Sequence, residues 1–321
     1  MSALHYIILQ VTGPSIFNTA SPEARKIGWL GNGFLIAGTA MMLLVIILTV
    51  RFTLRYRAKE NDAEPPQTKG SHKMELLMVG VPLVLVIFFF FWSLRTMSAV
   101  MPGRTGDQQP DVIITGHQWW WQADYTASHF STANEIHLPV GKRILLKLDA
   151  ADVIHDWWVP ALGAKMDMIP GRDNYLWIDI DKPGIYQGAC SEFCGEQHAW
   201  MRIRVVAQEP AEYQKWLAEQ SANAEQPADS LARLGEALFE KASCSNCHSI
   251  RGTGAKGDIG PDLTHFARRQ TMLSGMEDNT PENVYQWLLD PQKVKTGARM
   301  PRFIFNRDSL MALTAYLSQL K

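Results

Sequence analysis

The chain has little net charge and little cysteine. Its 31 Lys and Arg nearly balance its 32 Asp and Glu, so the net charge is -1 over 321 residues, and no basic block stands out. Proteins that bind nucleic acid carry such a block, so the sequence argues against nucleic acid as a partner. The 4 cysteines fall in two close pairs, each within a short motif. The chemistry of the chain is therefore expected in these two motifs.

Charged residues are also missing from two long stretches, residues 28–50 and 76–94. Each stretch is long enough to span a bilayer core of about 30 Å at about 1.5 Å per residue. A buried helix of a soluble protein could be as apolar, but two such runs bracketed by charges favour a hairpin of two transmembrane helices.

The loop between the two spans carries more basic residues than the outer flanks do. The positive-inside rule places this loop in the cytoplasm and both termini outside, which is the periplasmic side of a bacterial inner membrane. Near the start, the apolar patch Tyr6–Val11 has no basic region before it, so an interfacial segment and a poor signal peptide both stay open. The basic residues are Arg51, Arg55, Arg57, Lys59, Lys69 and Lys73 in the loop, and Arg25, Lys26, Arg95 and Arg104 in the flanks.

The first cysteine pair lies in the string CSEFCGEQHAWM, which brings Cys190, Cys194, His198 and Met201 within twelve residues. Thiolate and thioether sulfur are polarisable donors that suit copper better than calcium or magnesium. A disulfide and a zinc site are the alternatives. A disulfide leaves His198 and Met201 unexplained, and methionine is a poor zinc ligand, so copper is favoured.

A further ligand is available upstream in the string DVIHDWWVP, where His155 ends an apolar run. The cysteine string resembles the binuclear copper (CuA) loop of cytochrome c oxidase subunit II. The His155 segment, which continues to IPGR at residues 169–172, is similar to the first-ligand segment of that family. The resemblance implies two copper ions bridged by Cys190 and Cys194, with His155 and His198 on one ion each, Met201 as a weak ligand and the backbone carbonyl of Glu192.

The string GHQWWW at residues 116–121 lies in a region of strand-like sequence. A strand here would point Trp119 and Trp121 to one face and Trp120 to the other, which leaves some rings exposed or at an interface. The subunit II family has a similar string beside its copper site, and its first Trp is associated with the arrival of electrons. The resemblance gives this role to Trp119.

The same resemblance implies roles for two acidic residues, Glu192 and Glu75. The carboxylate of Glu192 would be free to bind magnesium at the boundary with the catalytic subunit, because magnesium prefers oxygen ligands. Glu75 stands before Pro82 at the start of the second span, as a Glu does near the mouth of a proton path in family members. For each residue, an ordinary solvated side chain is the alternative.

From Met101 onward, short runs rich in Val, Ile, Trp and Tyr alternate with Gly, Pro and Asp. This pattern predicts several short strands and a small β-sandwich or barrel. The resemblance likewise implies a cupredoxin-like fold with the copper loop at one end. The predicted strands include Val112–Ile114, Ile144–Leu148, Tyr175–Ile180 and Ile203–Val206.

The second cysteine pair lies in C-x-x-C-H, formed by Cys244, Cys247 and His248. This is the attachment signature of a c-type haem, with two thioether bonds and an adjacent iron ligand. A thioredoxin-like C-x-x-C is the alternative, but it lacks its βαβ surroundings. Helices are predicted over Glu209–Ala222 and Leu231–Lys241, separated by a small, polar, Pro-containing linker.

A second axial haem ligand is available from Met272, Met276, Met300 or Met311. Met300 is favoured because it lies in a turn, and because Met300-Pro301 resembles the Met-Pro segment of class I cytochromes c. That family also implies that the Pro261 carbonyl accepts a hydrogen bond from the proximal histidine. Two more helices are predicted at Pro281–Leu289 and Asp308–Leu320.

Four domains or segments follow from these patterns. The fold class is multidomain: a two-helix transmembrane hairpin, an all-β cupredoxin-like sandwich and an all-α cytochrome c domain. Because copper and haem use all four cysteines, no structural disulfide is expected. The predicted bounds are 1–100 for an N-terminal segment and the two-span anchor, 101–208 for the copper domain, 209–228 for a helix and linker, and 229–321 for the cytochrome.

The resemblance to subunit II implies an electron-transfer subunit of a haem-copper terminal oxidase. Electrons would pass from the cytochrome c haem to CuA and then to the catalytic subunit I, which reduces oxygen to water with proton translocation. The chain lacks the cluster of histidines on membrane helices that an oxygen-reducing centre needs. Further oxidase subunits, the membrane, and a donor such as cytochrome c or a cytochrome c reductase complex are the expected partners.

Three alternative functions stay open. A nitric oxide reductase subunit could use the same anchor, copper site and haem domain. A nitrous oxide reductase would need a large additional catalytic domain and no membrane hairpin. A copper-delivery protein would need neither Met201 nor a haem.

Overall fold

The computed structural model describes residues 14–58, 60, 64, 67, 70–101 and 108–321. The patch Tyr6–Val11, the loop residues Lys59 and Lys69 and the flanking residue Arg104 lie outside the described residues. Residues 25–101 form one compact unit, and the rest of the described chain forms the other.

The first unit contains two long helices, α1 (Pro22–Arg55), whose first three residues belong to the other unit, and α2 (His72–Val100). Both are long enough and apolar enough to cross a membrane, which confirms the two predicted spans as helices. They touch where the Phe34 and Phe89 rings stack with their centroids 4.2 Å apart. Gly33 permits this approach, since a Cβ there would lie 2.7 Å from the Trp92 ring.

The second unit begins with two five-stranded sheets that confirm the predicted sandwich. The strand orders are β3-β2-β1-β5-β8 and β4-β10-β9-β6-β7. The strands are β1 (Val112–His117), β2 (Trp120–Tyr125), β3 (Phe130–Ala133), β4 (Glu135–Pro139), β5 (Arg143–Ala150), β6 (His155–Trp158), β7 (Met166–Met168), β8 (Asn174–Asp179), β9 (Gly184–Cys190) and β10 (Arg202–Gln208).

Alternation of apolar and polar residues gives each sheet one buried face. In β1, Val112 and Ile114 point inward while their neighbours are partly exposed. Trp121 and Trp157 meet edge to face in this core, with ring centroids 5.5 Å apart. Each fully buried large apolar side chain contributes about 1.5–3 kcal/mol, so the sandwich is a rigid support for the loops at its end.

The string GHQWWW does not form a continuous strand, so the prediction that Trp119 and Trp121 share one face of a strand is wrong. His117 pairs with Trp120 across a tight hairpin, and Gln118 and Trp119 form its turn. Reversal of the chain separates the rings: Trp121 enters the core, Trp120 stacks on His117, and Trp119 lies in the turn.

The haem domain follows helix α3 (Pro210–Ser221), which confirms the predicted helix after the copper domain. The final helix ends at Leu317, three residues earlier than predicted. A small hairpin of two two-residue strands also lies in this domain, which was predicted to be all-α. The elements are α4 (Ser230–Lys241), β11 (Thr271–Met272), β12 (Glu277–Asp278), α5 (Pro281–Leu289), α6 (Pro291–Val294) and α7 (Arg307–Leu317).

Helices α4 and α7 cross at Gly235, where a Cβ would lie 2.0 Å from the Ala312 carbonyl oxygen. The haem domain has a hydrophobic core of its own, which includes Phe239, Leu313 and Tyr316. The copper domain and the haem domain thus each possess a separate core.

The linker between α3 and α4 lies along the haem domain. The backbone N–H of Ala224 donates to the Arg251 carbonyl at 3.0 Å, and the His265 ring donates to the Ala222 carbonyl at 3.1 Å. At its far end, Asp229 caps α4 by accepting from the Ala232 N–H at 2.9 Å. The linker is therefore anchored at both ends.

Candidate metal centre and haem site

The two sulfurs of the first cysteine pair face each other across a buried space. The Sγ atoms of Cys190 and Cys194 are 3.8 Å apart, and the two residues are only 5% and 3% exposed. A disulfide requires about 2.05 Å, and all four cysteines of the chain are free. The disulfide alternative for this pair is therefore wrong.

Adjacent strands bring the remaining donors to these sulfurs. His155 begins β6, Cys190 ends β9, and Trp157 pairs with Cys190 between the two strands. The loop then returns toward β10 through a short 3-10 turn, and the Cys190 N–H donates to the Met201 carbonyl at 3.0 Å. One end of the second sheet thus gathers the predicted ligands.

The donor atoms converge at similar distances. His155 Nδ1 lies 3.9 Å from Cys190 Sγ, and the Glu192 carbonyl oxygen lies 3.2 Å from the same sulfur. His198 Nδ1 and Met201 Sδ lie 3.7 Å and 3.8 Å from Cys194 Sγ. A metal with bonds of about 2.0–2.3 Å sets its ligands roughly 3.5 Å apart, so this arrangement fits metal binding with little movement.

Charge at the site also suits a metal. A hydrogen bond from the Cys194 thiol, assisted by His155, lowers the pKa of Cys190 well below its usual value, because both stabilise the thiolate. Thiolates are the forms that bind metal. The hydrogen bond to Cys190 and burial raise the pKa of Cys194, so its thiol must release a proton when a metal binds. A soft set of two sulfurs with imidazole and thioether is the kind of site that copper prefers.

Asp152 completes the site, although sequence reasoning did not assign it a role. Its Oδ1 lies 2.9 Å from His155 Nε2, which turns Nδ1 of that ring toward Cys190. Burial opposes ionisation of Asp152, but hydrogen bonds from His155 and from the backbone N–H groups of Gln118 and Val153 lower its pKa to about 2. The sequence feature that could have identified Asp152 is a carboxylate three residues before a ligand histidine. Metal-binding histidines usually donate their second ring N–H to such a group.

Trp119 lies against the copper loop. Its Nε1 donates to the Cys194 carbonyl at 3.0 Å, and the Gln118 side-chain amide donates to the same oxygen at 2.7 Å. Gly195 has φ +115 and lies so close that a Cβ would be 2.9 Å from the Trp119 ring. The hairpin turn and the copper loop thus fit closely together.

One face of the copper loop is exposed. Phe193 is 76% exposed and Trp200 is 51% exposed, and the Glu192 side chain points to solvent beside them. The backbone carbonyl of Glu192 faces Cys190, so its carboxylate is free, as the magnesium prediction requires.

The C-x-x-C-H motif follows helix α4 and begins with a short 3-10 turn, whereas a thioredoxin-like motif needs a βαβ unit. His248 Nδ1 donates to the Pro261 carbonyl at 2.8 Å, which confirms the expected hydrogen bond and leaves Nε2 free. Gly260 is required here, since a Cβ would lie 2.6 Å from the His248 ring.

The four methionines differ in their surroundings. Met300 lies in a bend after α6, half-buried against the haem-domain core. Met272 is 4% exposed within that core, and Met311 lies on α7 and is 43% exposed. Met276 is half-buried in the turn between β11 and β12. The assignment of Met300 as the second axial ligand stays a prediction.

Glu75 lies in the first turn of α2 and is exposed, with its Oε2 3.1 Å from His72 Nδ1. This position is compatible with both interpretations of Glu75, an ordinary solvated side chain and a residue at the mouth of a proton path.

Comparison with known proteins gives three family matches. They are Cytochrome C oxidase subunit II, transmembrane domain, over residues 11–96; Cytochrome C oxidase subunit II, periplasmic domain, over residues 127–208; and Cytochrome c over residues 232–321.

Relatives among characterised proteins resemble nearly the whole chain. Cytochrome c oxidase subunit 2 of Alkalihalophilus pseudofirmus is 33% identical over 333 residues, which covers 100% of this chain and 96% of that protein. Cytochrome c oxidase subunit 2 of Bacillus sp. (strain PS3) is 30% identical over 286 residues, which covers 83% of this chain and 80% of that protein. A solved structure, the periplasmic domain of subunit II of cytochrome oxidase of Bradyrhizobium japonicum, is 34% identical over 35% of this chain and 95% of that chain, with a TM-score of 0.34.

Proposed function

The chain belongs to the cytochrome c oxidase subunit II family, and from that premise we propose that it passes electrons from its own haem c, through a binuclear copper centre, to a separate catalytic subunit that reduces oxygen. The observation that carries this proposal is the convergence of four further donor groups on the two free, buried sulfurs of Cys190 and Cys194. When bound, the copper pair and the haem would each supply a one-electron carrier. The copper ligands would be His155, Cys190, Glu192, Cys194, His198 and Met201, and the haem ligands Cys244, Cys247, His248 and Met300.

The protein contributes rigidity to this transfer. Both cysteines lie at the end of a packed sandwich, and Asp152 holds the His155 ring through a 2.9 Å hydrogen bond. Ligands that barely move between oxidation states keep the reorganisation energy small. In the same way, the Pro261 carbonyl fixes the orientation of His248.

Trp119 would be the residue through which electrons reach copper. Its indole donates to the backbone of Cys194, and its carbonyl accepts a hydrogen bond from Lys295 of the haem domain at 2.8 Å. Trp119 is therefore hydrogen-bonded both to the copper loop and to the haem domain.

The exposed face of the copper loop would dock on subunit I, with further oxidase subunits around it. Phe193 and Trp200 supply exposed aromatic surface, which is typical of protein interfaces. The free carboxylate of Glu192 would bind magnesium at this boundary. The external donor would be a cytochrome c or a cytochrome c reductase complex.

The positive-inside rule supports an orientation with both termini and both cofactor domains outside the cytoplasm, which would be the periplasmic side of a bacterial inner membrane. Glu75 would then lie at the cytoplasmic end of α2 and could lead protons into the catalytic subunit. Replacement of Glu75 by Gln in the assembled enzyme tests this role, and turnover equal to that of the parent would exclude it.

Electron paramagnetic resonance combined with metal analysis tests the central proposal. We expect two coppers and one iron per chain, and one unpaired electron shared by two copper nuclei. A single-copper spectrum, or zinc in its place, would contradict the proposal and favour a copper-delivery protein. Turnover of the assembled complex with oxygen, and not with nitric oxide, would separate the oxidase from a nitric oxide reductase.

A further inference from the structure

The haem domain contacts the copper domain through a face that is polar and largely buried. We call this the docking face. It consists of Trp119, Glu135 and Gln197 on the copper domain and Gln270, Ser274 and Lys295 on the haem domain. Its contacts lie within one compact unit of the structure.

Glu135 forms one side of the docking face. It begins β4, is 4% exposed, and its carboxylate accepts hydrogen bonds from the backbone N–H groups of Gln270 and Thr271 at 2.9–3.1 Å. The Thr271 hydroxyl donates to the same carboxylate at 3.0 Å, and Arg204 of the copper domain lies 3.3 Å away. A buried carboxylate is thus satisfied by the partner domain's backbone, as a buried charge requires.

Lys295 forms the other side. It is 4% exposed, and its Nζ donates to the Trp119 carbonyl at 2.8 Å and to the Leu273 carbonyl at 3.2 Å. Burial lowers the pKa of Lys295 to about 8, which leaves the ammonium charged at neutral pH. The Ser274 hydroxyl, also buried, lies 3.0 Å from the same Trp119 carbonyl.

Side chains of the copper loop also lie close to the backbone of the haem domain. Gln197 of the copper loop donates from its side chain to the Thr296 carbonyl at 2.7 Å. Gly297 has φ +78, and a Cβ there would lie 2.4 Å from a Glu196 carboxylate oxygen. The segment that leads to Met300 therefore lies directly on the copper loop.

The segment that connects the two domains limits how far the haem domain can separate from the copper domain. Helix α3 packs on the copper domain, where Trp216 stacks on His137, and its Glu219 forms an ion pair with Arg268 of the haem domain. The linker after α3 is itself hydrogen-bonded to the haem domain. A short connection keeps the effective concentration of one domain at the other high, and an anchored one favours the docked state further.

We propose that Lys295 is a positioning residue for electron transfer, which fixes the Trp119 backbone to the haem domain and, with Glu135, holds that domain in one docked pose throughout turnover. This inference rests on the proposed electron-transfer function. Transfer from haem to copper then needs no docking step. Because the docking face is occupied, an external donor must approach the haem domain from another side.

Hydrogen–deuterium exchange in the assembled oxidase tests the docked pose. In the parent, we expect the Gln270 and Thr271 amides to be as protected as those of core strand β5. Lys295→Met removes the donors and should speed exchange at these two amides about tenfold, since the buried charged hydrogen bond to the Trp119 carbonyl of the copper domain is lost. Lys293→Met is the matched control, because Lys293 is an exposed lysine two residues away. Fast exchange in the parent, or equal protection in both variants, would overturn the proposal.

Flash-induced transfer from haem c to copper supplies the readout that separates positioning from mere stability. The parent rate should not change with viscosity or ionic strength, whereas Lys295→Met should add a slow phase that depends on viscosity. Lys295→Gln, which retains two N–H donors, should restore the single fast phase. A viscosity-dependent parent rate, or failure of Gln to differ from Met, would count against Lys295.

Two further measurements keep the outcome decisive. If Lys295→Met does not assemble, Ser274→Ala removes a smaller contact to the same Trp119 carbonyl and should give the same changes in weaker form; no change would overturn the proposal. Reductive titration of the parent detects haem and copper directly. Absence of those signals would refute the proposed function, whereas their presence with an undocked haem domain would refute only the role of Lys295.

Discussion

The indole Nε1 of Trp119 donates a hydrogen bond to the carbonyl oxygen of Cys194, at 3.0 Å. The carbonyl of Trp119 accepts in turn from Lys295 Nζ at 2.8 Å. One residue is therefore bonded on one side to a predicted copper ligand and on the other to the haem domain. This arrangement is the basis for the proposal that Trp119, a turn residue, carries electrons between the sites.

Replacement of Trp119 by Phe should slow transfer from haem to copper by an order of magnitude or more. The lost indole hydrogen bond costs only about 1 kcal/mol, and Gln118 still donates to the Cys194 carbonyl. Both metal sites should therefore stay intact, and flash photolysis should detect the slower step. Trp120→Phe is the control, because that neighbouring ring stacks on His117. Equal rates in the two variants would remove Trp119 from the path.

Met201→Leu and Cys190→Ser should have different effects on copper. Met201 is fully buried, and Leu has a similar volume, so the exchange should cost less than about 1.5 kcal/mol. We expect Met201→Leu to retain two coppers with an altered paramagnetic resonance spectrum, because only a weak ligand is lost. Cys190→Ser removes a bridging thiolate and should lose the pair. An unchanged spectrum in Met201→Leu would show that this thioether is not a ligand.

Met300→Leu should convert the haem to a high-spin form with a lower reduction potential, since an axial Met raises the potential. Covalent attachment through Cys244 and Cys247 should persist. Met272→Leu is the matched control, because Met272 is 4% exposed in the haem-domain core and should affect packing alone. Optical spectra and redox titration give the result, and the reverse pattern would identify Met272 as the ligand.

Local patterns were sufficient to predict most of the fold and both motifs. The alternation in Val112–Ile114 marks a strand that buries one face, and the length of residues 28–50 and 76–94 marks the membrane helices. The copper donors were predictable because their spacing places a loop between two strands. Each of these signals is contained within a short stretch of chain.

Features that depend on distant contacts were not predictable. Glu135 and Lys295 look like ordinary charged residues in the sequence, and only the docking of one domain on another buries them. The strand expected at Trp119 was wrong because hairpin reversal, not alternation, decides the position of that ring. Asp152 was overlooked for a related reason: its role depends on the orientation of the His155 ring.

His137 should make the free energy of unfolding depend on pH. Its ring stacks on Trp216 with a centroid distance of 4.2 Å, and its Nδ1 lies 2.9 Å from Gln208 Oε1. Burial lowers the pKa of His137 to about 4, below the ordinary value of 6.5. Between these two values the unfolded chain binds more protons than the folded chain, so stability rises with pH across this window.

The contribution of His137 should be fully present above about pH 6.5 and should fall by about 3 kcal/mol as the pH drops to about 4. His137→Phe retains an aromatic ring for Trp216 but cannot be protonated. The difference in free energy of unfolding between parent and variant should therefore shrink, or reverse in favour of the variant, as the pH falls. Urea unfolding of a fragment covering residues 108–321 at several pH values measures this difference. His129→Asn is the control, because His129 is exposed and Asn tolerates its left-handed backbone, φ 53. A difference that stays constant from pH 4 to 6.5 would show that His137 is not held neutral by the packing of helix α3 on the copper domain.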